Sequence, residues 1–470
     1  MKNLRVTILL LLITAMFSQC TDNFFTEEDN AKASSENDGS DLKSASHGRP
    51  ESTFTVTVEN VSTEYDYFAA GGQFIPDGKE EAGPAFPGES FTIKFHAGKS
   101  HRISFATMYG ASNDLFYGPS DLGIDLFDDE GNPTTGDITN LISLWDCGTE
   151  INHAPGSGEQ GDEESDVIKS VQNVDNKMDG FTYNTVEQNV AVSLAYDGVS
   201  MFTLTIQCLE GSSTPLSPVA WVVHSDMQKP IFTEGSLDYD LGLEALSETG
   251  NAVPLSEYLE AHSGYVSPVA PGVWVVHKQG QKPIFTNGTI DYGEGLEMLS
   301  EMGDPSMEYS TLLEKGYETG VYNTPEGADG PGPLFPGESY SFTFDANPGD
   351  YLSIASMLGK SNDLFFAPGD MGIRLFNGKK PLECDITSKI FLWDAGTEVN
   401  EYPGAGIHQG AGGVDENEPV MQVDDEFTWP QTAQVIKVTI SASGGYSCSP
   451  KDHPYKGYKG KDHKKGKHRR

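Results

Sequence analysis

Past its first 20 residues the chain has no apolar run long enough to cross a bilayer as a helix. Basic residues are scarce: 30 Lys and Arg stand against 70 Asp and Glu, for a net charge of −40. A surface of that sign repels phosphate, which argues against nucleic acid as a partner. It suits a soluble protein that attracts cations. Cysteine is sparse, with five in 470 residues and no C-x-x-C spacing, which argues against ribbon-type zinc sites and dithiol redox work. The sequence also lacks a Gly-rich phosphate loop, a His-Glu-x-x-His helix and a Ser-His-Asp signature. Apolar residues are not lacking. Their 37% share can fill two ordinary domains once the two ends are set aside.

The ends differ from the middle. Lys2 and Arg5 precede Val6 to Phe17, an apolar run of signal-peptide length. It closes on Phe17-Ser18-Gln19-Cys20, where bacterial lipoproteins are cleaved and lipidated, so residues 1–20 read as a lipoprotein signal with Cys20 as the lipidation site. Gln19 departs from the usual small residue, and an ordinary signal peptide is the alternative. Residues 21–50 are polar throughout and read as a disordered tether. At the other end, Lys451 to Arg470 holds nine basic and two acidic residues, leaving −47 on the rest. The tail around it, residues 446–470, reads as a solvated end or as an arm for anionic glycans or lipid head groups.

One block occurs twice. Ser112-Asn113-Asp114-Leu115-Phe116, Asp137-Ile138-Thr139 and Leu144-Trp145-Asp146-Cys147-Gly148-Thr149-Glu150 form the first copy. Ser361-Asn362-Asp363-Leu364-Phe365, Asp385-Ile386-Thr387 and Leu392-Trp393-Asp394-Ala395-Gly396-Thr397-Glu398 form the second. Their offset is 249 residues at the first element and 248 at the last. Carboxylates, glycines and aromatics are kept, whereas a duplicated fold alone would keep only its buried periodicity. Carboxylates at fixed spacing in Gly-bearing loops are what a hard cation requires. The competing reading is a set of turns, because Asp caps its own backbone well. Asp137 and Asp385 read as such caps, and Asn152 and Asn400 as supports for the acids.

Alternating β-branched and aromatic runs, such as Phe54 to Val58, Ser90 to Phe95, Phe202 to Ile206, Tyr340 to Phe344 and Val435 to Ile440, are separated by Gly/Pro turns. They predict an all-β fold of two tandem antiparallel sandwiches, residues 51–210 and 211–445. Helix is expected only as short insertions at Leu241 to Ser247 and Leu296 to Glu301. A nested repeat lies between the large copies: Trp221-Val222-Val223-His224 through Gly242-Leu243-Glu244, and, 53 residues on, Trp274-Val275-Val276-His277 through Gly295-Leu296-Glu297. On this division the first domain is abbreviated and the second carries a spare unit, residues 217–262.

Taken in order, Ser-Pro-Val-x-Trp-Val-Val-His, Phe-x-x-Gly, Pro-Gly-Glu, Ser-x-Asn-Asp-Leu-Phe and Trp-Asp-x-Gly-Thr-Glu resemble the spondin N-terminal domain of F-spondin and mindin. The resemblance covers about residues 51–210 and 211–445. It implies a C2-like β-sandwich that binds one calcium ion per domain through loop carboxylates and serves in extracellular adhesion. Carried over residue by residue, the ligands it implies are Asp114, Asp146 and Glu150 in the first copy and Asp363, Asp394 and Glu398 in the second. Animal members more often show Asp at the last position, so Glu150 and Glu398 each add a methylene.

Other residues read as structure. Trp145, Trp221, Trp274 and Trp393 are expected in the core, and His224 and His277 at strand ends on the surface. Phe116-Tyr117 and Phe365-Phe366 read equally as an exposed rim or as packing beneath the loop. Of Cys147, Cys208, Cys384 and Cys448, three pairings are open. The expected function is a calcium-binding adhesion or ligand-binding protein, not an enzyme, at the outer membrane or cell surface or secreted. Its partner would be an extracellular glycan or protein, and it would meet membrane only through the lipid. The alternative is a glycan-processing enzyme with a carboxylate pair such as Asp146 and Glu150.

Overall fold

The computed structural model describes residues 52–157, 168–176, 180–409 and 412–443. The expected signal, tether and basic tail, with Cys20 and Cys448, lie outside these residues. Among strands of four or more residues, the first run is β1 (Ser52–Asn60), β2 (Ala69–Gln73), β3 (Ser90–His96), β4 (His101–Met108), β5 (Leu115–Gly118), β6 (Ser143–Asp146), β7 (Val190–Tyr196), β8 (Met201–Cys208) and β9 (Val219–Ser225). Two helices follow, α1 (Leu243–Thr249) and α2 (Val253–Ala261). The second run is β10 (Val269–Lys278), α3 (Leu296–Met302), α4 (Ser306–Glu314), β11 (Glu318–Tyr322), β12 (Ser339–Ala346), β13 (Asp350–Leu358), β14 (Leu364–Pro368), β15 (Ile390–Asp394) and β16 (Ile436–Ala442).

The expected all-β sandwich architecture is present twice. In the first sandwich, a sheet ordered β3-β8-β7 faces a sheet ordered β2-β9-β4-β5-β6. In the second, β12-β1-β16 faces β11-β10-β13-β14-β15. Each larger sheet is covered on its other face by a helix pair. Leu243, Leu246, Leu255 and Leu259 pack on Ala106, Phe116 and Val222, and Leu296, Leu299 and Leu312 on Val275, Ala355 and Phe365. Burial on both faces explains why β13 is apolar or small almost throughout, whereas β1 alternates with only Phe54, Val56, Val58 and Asn60 buried. Gly250 and Gly303 stop α1 and α3 in the left-handed conformation, at φ 72° and 67°.

The strand pairing redraws the expected boundaries. β1 belongs to the second sandwich, inserted between β12 (Phe54 opposite Phe344) and β16 (Phe54 opposite Ala442). It fills the place that β8 fills in the first. The unit at 217–262 is not spare either: β9 pairs with β2 and β4 of the first sandwich, and α1 and α2 cover that same sheet. The first sandwich is therefore complete, is continuous from β2 to α2, and interrupts the second between β1 and β10. Counted from β8, its elements follow the second sandwich's order with the start moved, a circular permutation. Sequence order misled here because a repeat read along the chain carries no record of which sheet receives each strand.

Other expectations also shift. Helices α2 and α4 were not foreseen; Pro254 and Pro305 punctuate sequences that nevertheless start helices there. His224 and His277 are buried, not surface residues, each bonded through Nε2 to a serine hydroxyl, Ser104 at 2.9 Å and Ser353 at 3.0 Å. Burial pushes the His224 imidazole down to about 4, so it is neutral. Phe116, Tyr117, Phe365 and Phe366 are all buried, so the aromatic rim does not form. Trp145, Trp274 and Trp393 are core residues as expected, and Trp221 is partly buried against the first core. Cys147 and Cys208 are free and buried, and Cys384 is disulfide-bonded.

These pairings have a direct consequence. A fragment of residues 61–264 should unfold as one cooperative unit, whereas 265–443 should fold only with the strand 52–60 supplied. Phe54, Val56 and Val58 each contribute about 1.5–3 kcal/mol of burial. Val56→Asp should therefore abolish hydrogen-exchange protection in β12 and β16 while β7 and β8 stay protected. Equal loss in both sandwiches would contradict the pairing.

Candidate metal centre

Register brings the acidic elements together. β5 and β6 are antiparallel with Leu115 opposite Asp146, and β14 and β15 repeat this with Leu364 opposite Asp394. The Asn-Asp pair that leads into one strand thus lies beside the Asp that ends its neighbour, and the loop after that Asp folds back over both. Each entry turn is held by a serine: Ser112 Oγ donates to the Tyr109 carbonyl and accepts from Leu115 N–H, and Ser361 does the same with Leu358 and Leu364.

The first acid of each block is a clasp. Asp114 Oδ2 accepts the N–H groups of Thr149 (2.9 Å) and Glu150 (3.0 Å). Asp363 Oδ2 accepts those of Thr397 (2.7 Å) and Glu398 (3.1 Å), plus the Thr397 hydroxyl at 3.2 Å. The loop needs the glycine between: Gly148 and Gly396 have φ 77° and 68°, and a Cβ on Gly396 would stand 2.3 Å from the Glu418 carbonyl oxygen. The second acid is braced by asparagine as expected, Asn152 to Asp146 Oδ2 at 2.5 Å and Asn400 to Asp394 Oδ2 at 2.6 Å. Asp394 Oδ1 also accepts Gly396 N–H, and Glu398 Oε1 accepts Gly413 N–H. Asp137 and Asp385 cap Thr139 and Thr387, as their turn reading required.

Five of the six acids of the expected ligand sets are buried, Asp114, Asp146, Glu150, Asp363 and Glu398, and in the second set Asp363 lies beside Asp394 while the Glu398 carboxylate turns to Gly413, Glu301 and Asp415. Asp394 is half-buried. Asp363 Oδ1, Glu398 Oε2 and Asn400 Oδ1 are buried with no hydrogen-bond partner. As the side chains stand, no three Asp, Glu, His or Cys groups among the described residues converge closely enough to hold an ion. The donor set is nevertheless all oxygen, and its orphaned oxygens fit a hard cation.

Electrostatics marks the same place. Burial, and then the neighbouring Asp394, raises the Asp363 carboxyl well above the usual carboxylate range, and burial raises Asp394 too. Glu398 is pushed up to about 7 by burial and by Glu301, Asp415 and Glu401. Sequence reasoning missed Glu248 and Glu301, which end α1 and α3. Burial and the neighbouring Glu150, Glu244 and Asp114 carry Glu248 to about 7, and Glu301 is raised likewise beside Thr397. The signal was available in the shared Leu-Ser-Glu-x-Gly at 246–250 and 299–303. It was obscured while the first of these units was assigned to the wrong sandwich.

The raised values fix a pH dependence. Without a divalent cation, the folded protein keeps protons on these acids that the unfolded chain, with carboxyls near 4, has released. The stability these acids contribute is therefore full below about pH 4 and is lost as pH rises through about 7. Urea unfolding in chelator should give a lower midpoint at pH 7.5 than at pH 5. Asp363→Asn, which keeps an acceptor for Thr397 and Glu398, should flatten that difference. A midpoint that rises over this interval in chelator, or a slope that Asp363→Asn leaves unaltered, would refute it.

No protein-family model matches this chain, and no curated protein matches it.

Proposed function

We propose that this protein is an exported calcium-binding protein of the spondin N-terminal type, held at the outer membrane or cell surface through Cys20 or secreted, that binds an extracellular ligand on two ion-stabilised sandwiches. What carries the reading is the buried carboxylate set repeated in both sandwiches, with Asp363 Oδ1 and Glu398 Oε2 lacking a partner in the second. An uncompensated buried carboxylate costs several kcal/mol, so protonation or a cation must offset it. The residues that would hold the ions are Asp114, Asp146 and Glu150, and Asp363, Asp394 and Glu398.

Calcium suits the donors best. Carboxylates and backbone carbonyls on glycine-bearing loops adapt to its six to eight oxygen ligands, and histidine and thiol, which zinc would favour, are not in these sets. Calcium modules outside the cell work at dissociation constants of about 10⁻⁴ to 10⁻³ M, so modest sites would fill. A bound ion would replace the mutual repulsion of the acids with attraction and fix the loops they clasp. The reading as a non-enzymatic binding protein is supported by the burial of Asp146 and Glu150, 0% and 2% exposed, which keeps a glycosidic bond from reaching that pair.

Calcium should raise the thermal unfolding midpoint by several degrees over chelator. At a hundred times its dissociation constant an ion contributes about 2.7 kcal/mol, or about 5–11 °C for a domain of this size. Asp114→Asn with Asp363→Asn should remove the increment, and magnesium should not reproduce it. Identical unfolding with calcium and with chelator would eliminate the calcium reading.

A further inference from the structure

The two sandwiches meet along a groove of about 480 Å³, within the roughly 300–1,000 Å³ range of small-ligand sites. Phe68, Lys94 and Trp221 come from the first sandwich, and Tyr402, Trp429 and Gln434 from the second. Its aromatic residues include Phe68, Trp221, Tyr402 and Trp429, which keep part of their surface in solvent. In a chain with 70 acidic residues, no Asp or Glu is among the described residues that line it, and Lys94 is its one full charge.

The walls are preformed. Tyr402 stacks on His96 with ring centroids 3.5 Å apart and planes within 8°, and His96 is fixed through Nδ1 to Ser200 Oγ at 2.9 Å. The Trp429 indole N–H is tied to Asp425 at 2.8 Å. The loop after Tyr402 is closed by Glu401, whose carboxylate accepts Ile407 and His408 N–H, and by Gln409, which donates to the Tyr402 and Ala405 carbonyls. It presses on the first sandwich at Gly98, where a Cβ would lie 2.5 Å from the Gly406 carbonyl oxygen. Glu401 N–H in turn donates to Asn362 Oδ1, in the acidic block of the second sandwich.

We propose that this groove binds an uncharged oligosaccharide, with pyranose rings stacked on Trp221, Tyr402 and Trp429 and hydroxyls met by Lys94, Thr428 and Gln434. The polarised C–H faces of a sugar ring complement the negative face of an aromatic ring. Fixed rings lose little entropy on binding. The described lining residues offer no carboxylate to a cationic ligand, while the −47 of the body disfavours a polyanion. This assignment rests on the ligand-binding reading above and names its site and ligand class. It does not require an ion to be bound.

The test is calorimetric titration of the full chain with cellohexaose, xylohexaose, mannohexaose and chitohexaose. A heparin oligosaccharide and a peptide of residues 451–470 serve as competing occupants. At least one neutral hexamer should bind. Tyr402→Ala and Trp429→Ala should each weaken it about tenfold, the upper range for losing one aromatic stack. Thr428→Arg, on the exposed rim, should block the groove without disturbing the core, and Met227→Ala, at an exposed site outside it, should change nothing. Failure of all four hexamers, unchanged affinity in the Trp429 and Thr428 variants, or binding of heparin or the tail peptide instead would overturn the assignment. Repeating the titration in chelator separates the readings. Groove-dependent binding that survives chelator leaves this site standing without calcium, and calcium-raised stability with groove-independent binding does the reverse.

Discussion

The hydrogen-bonded placement of β1 between β12 and β16 is the constraint on which the rest of the structure depends. It closes the second sandwich with a strand that lies before the whole of the first. The chain must then leave the second sandwich, build the first, and return. The outgoing and returning segments run side by side, bridged at Tyr67 and Ser263. Asn60, buried at the end of β1, donates to the carbonyls of Ser267 and Leu334 and so ties departure to return. This topology holds the sandwiches together and makes a shared groove between them, where two independent beads on a linker would have none.

Within that frame the acidic blocks organise the loops. A carboxylate accepting two successive N–H groups sets the backbone of the Gly-Thr-Glu turn, and burial makes that bond strong while leaving Asp363 Oδ1 costly in the second copy. The same arrangement serves as a turn cap, and it is where the proposed cation would sit. In the second sandwich, the connection from Asn362 to Glu401 extends this order to Tyr402 and hence to the groove wall.

Much of the candidate site was legible because its chemistry is local. Asp114 and the Thr149-Glu150 turn, or Asp394 and Asn400, are fixed by pairing of neighbouring strands, so repetition of the motif sufficed to find them. Glu248 and Glu301 were not found, because they reach the acids from the helix layer, across a sheet whose membership the sequence did not reveal. His224 and His277 were misplaced for a related reason. A histidine ending an apolar strand looks exposed until the facing serine of the adjacent strand is known to cover it.

The amino-acid sequence by itself determined the strands, through period-two alternation, the turns, through Gly and Pro, and the duplicated acid spacing, through the short reach of a carboxylate. Only the tertiary structure decided which sheet each strand entered, that the first sandwich is a permuted insert in the second, and that an aromatic groove lies between them. Alternation shows that a strand has one buried face but not what that face is buried against. Partner choice is set by the summed packing and hydrogen bonding of segments hundreds of residues apart, as between Phe54 and Phe344.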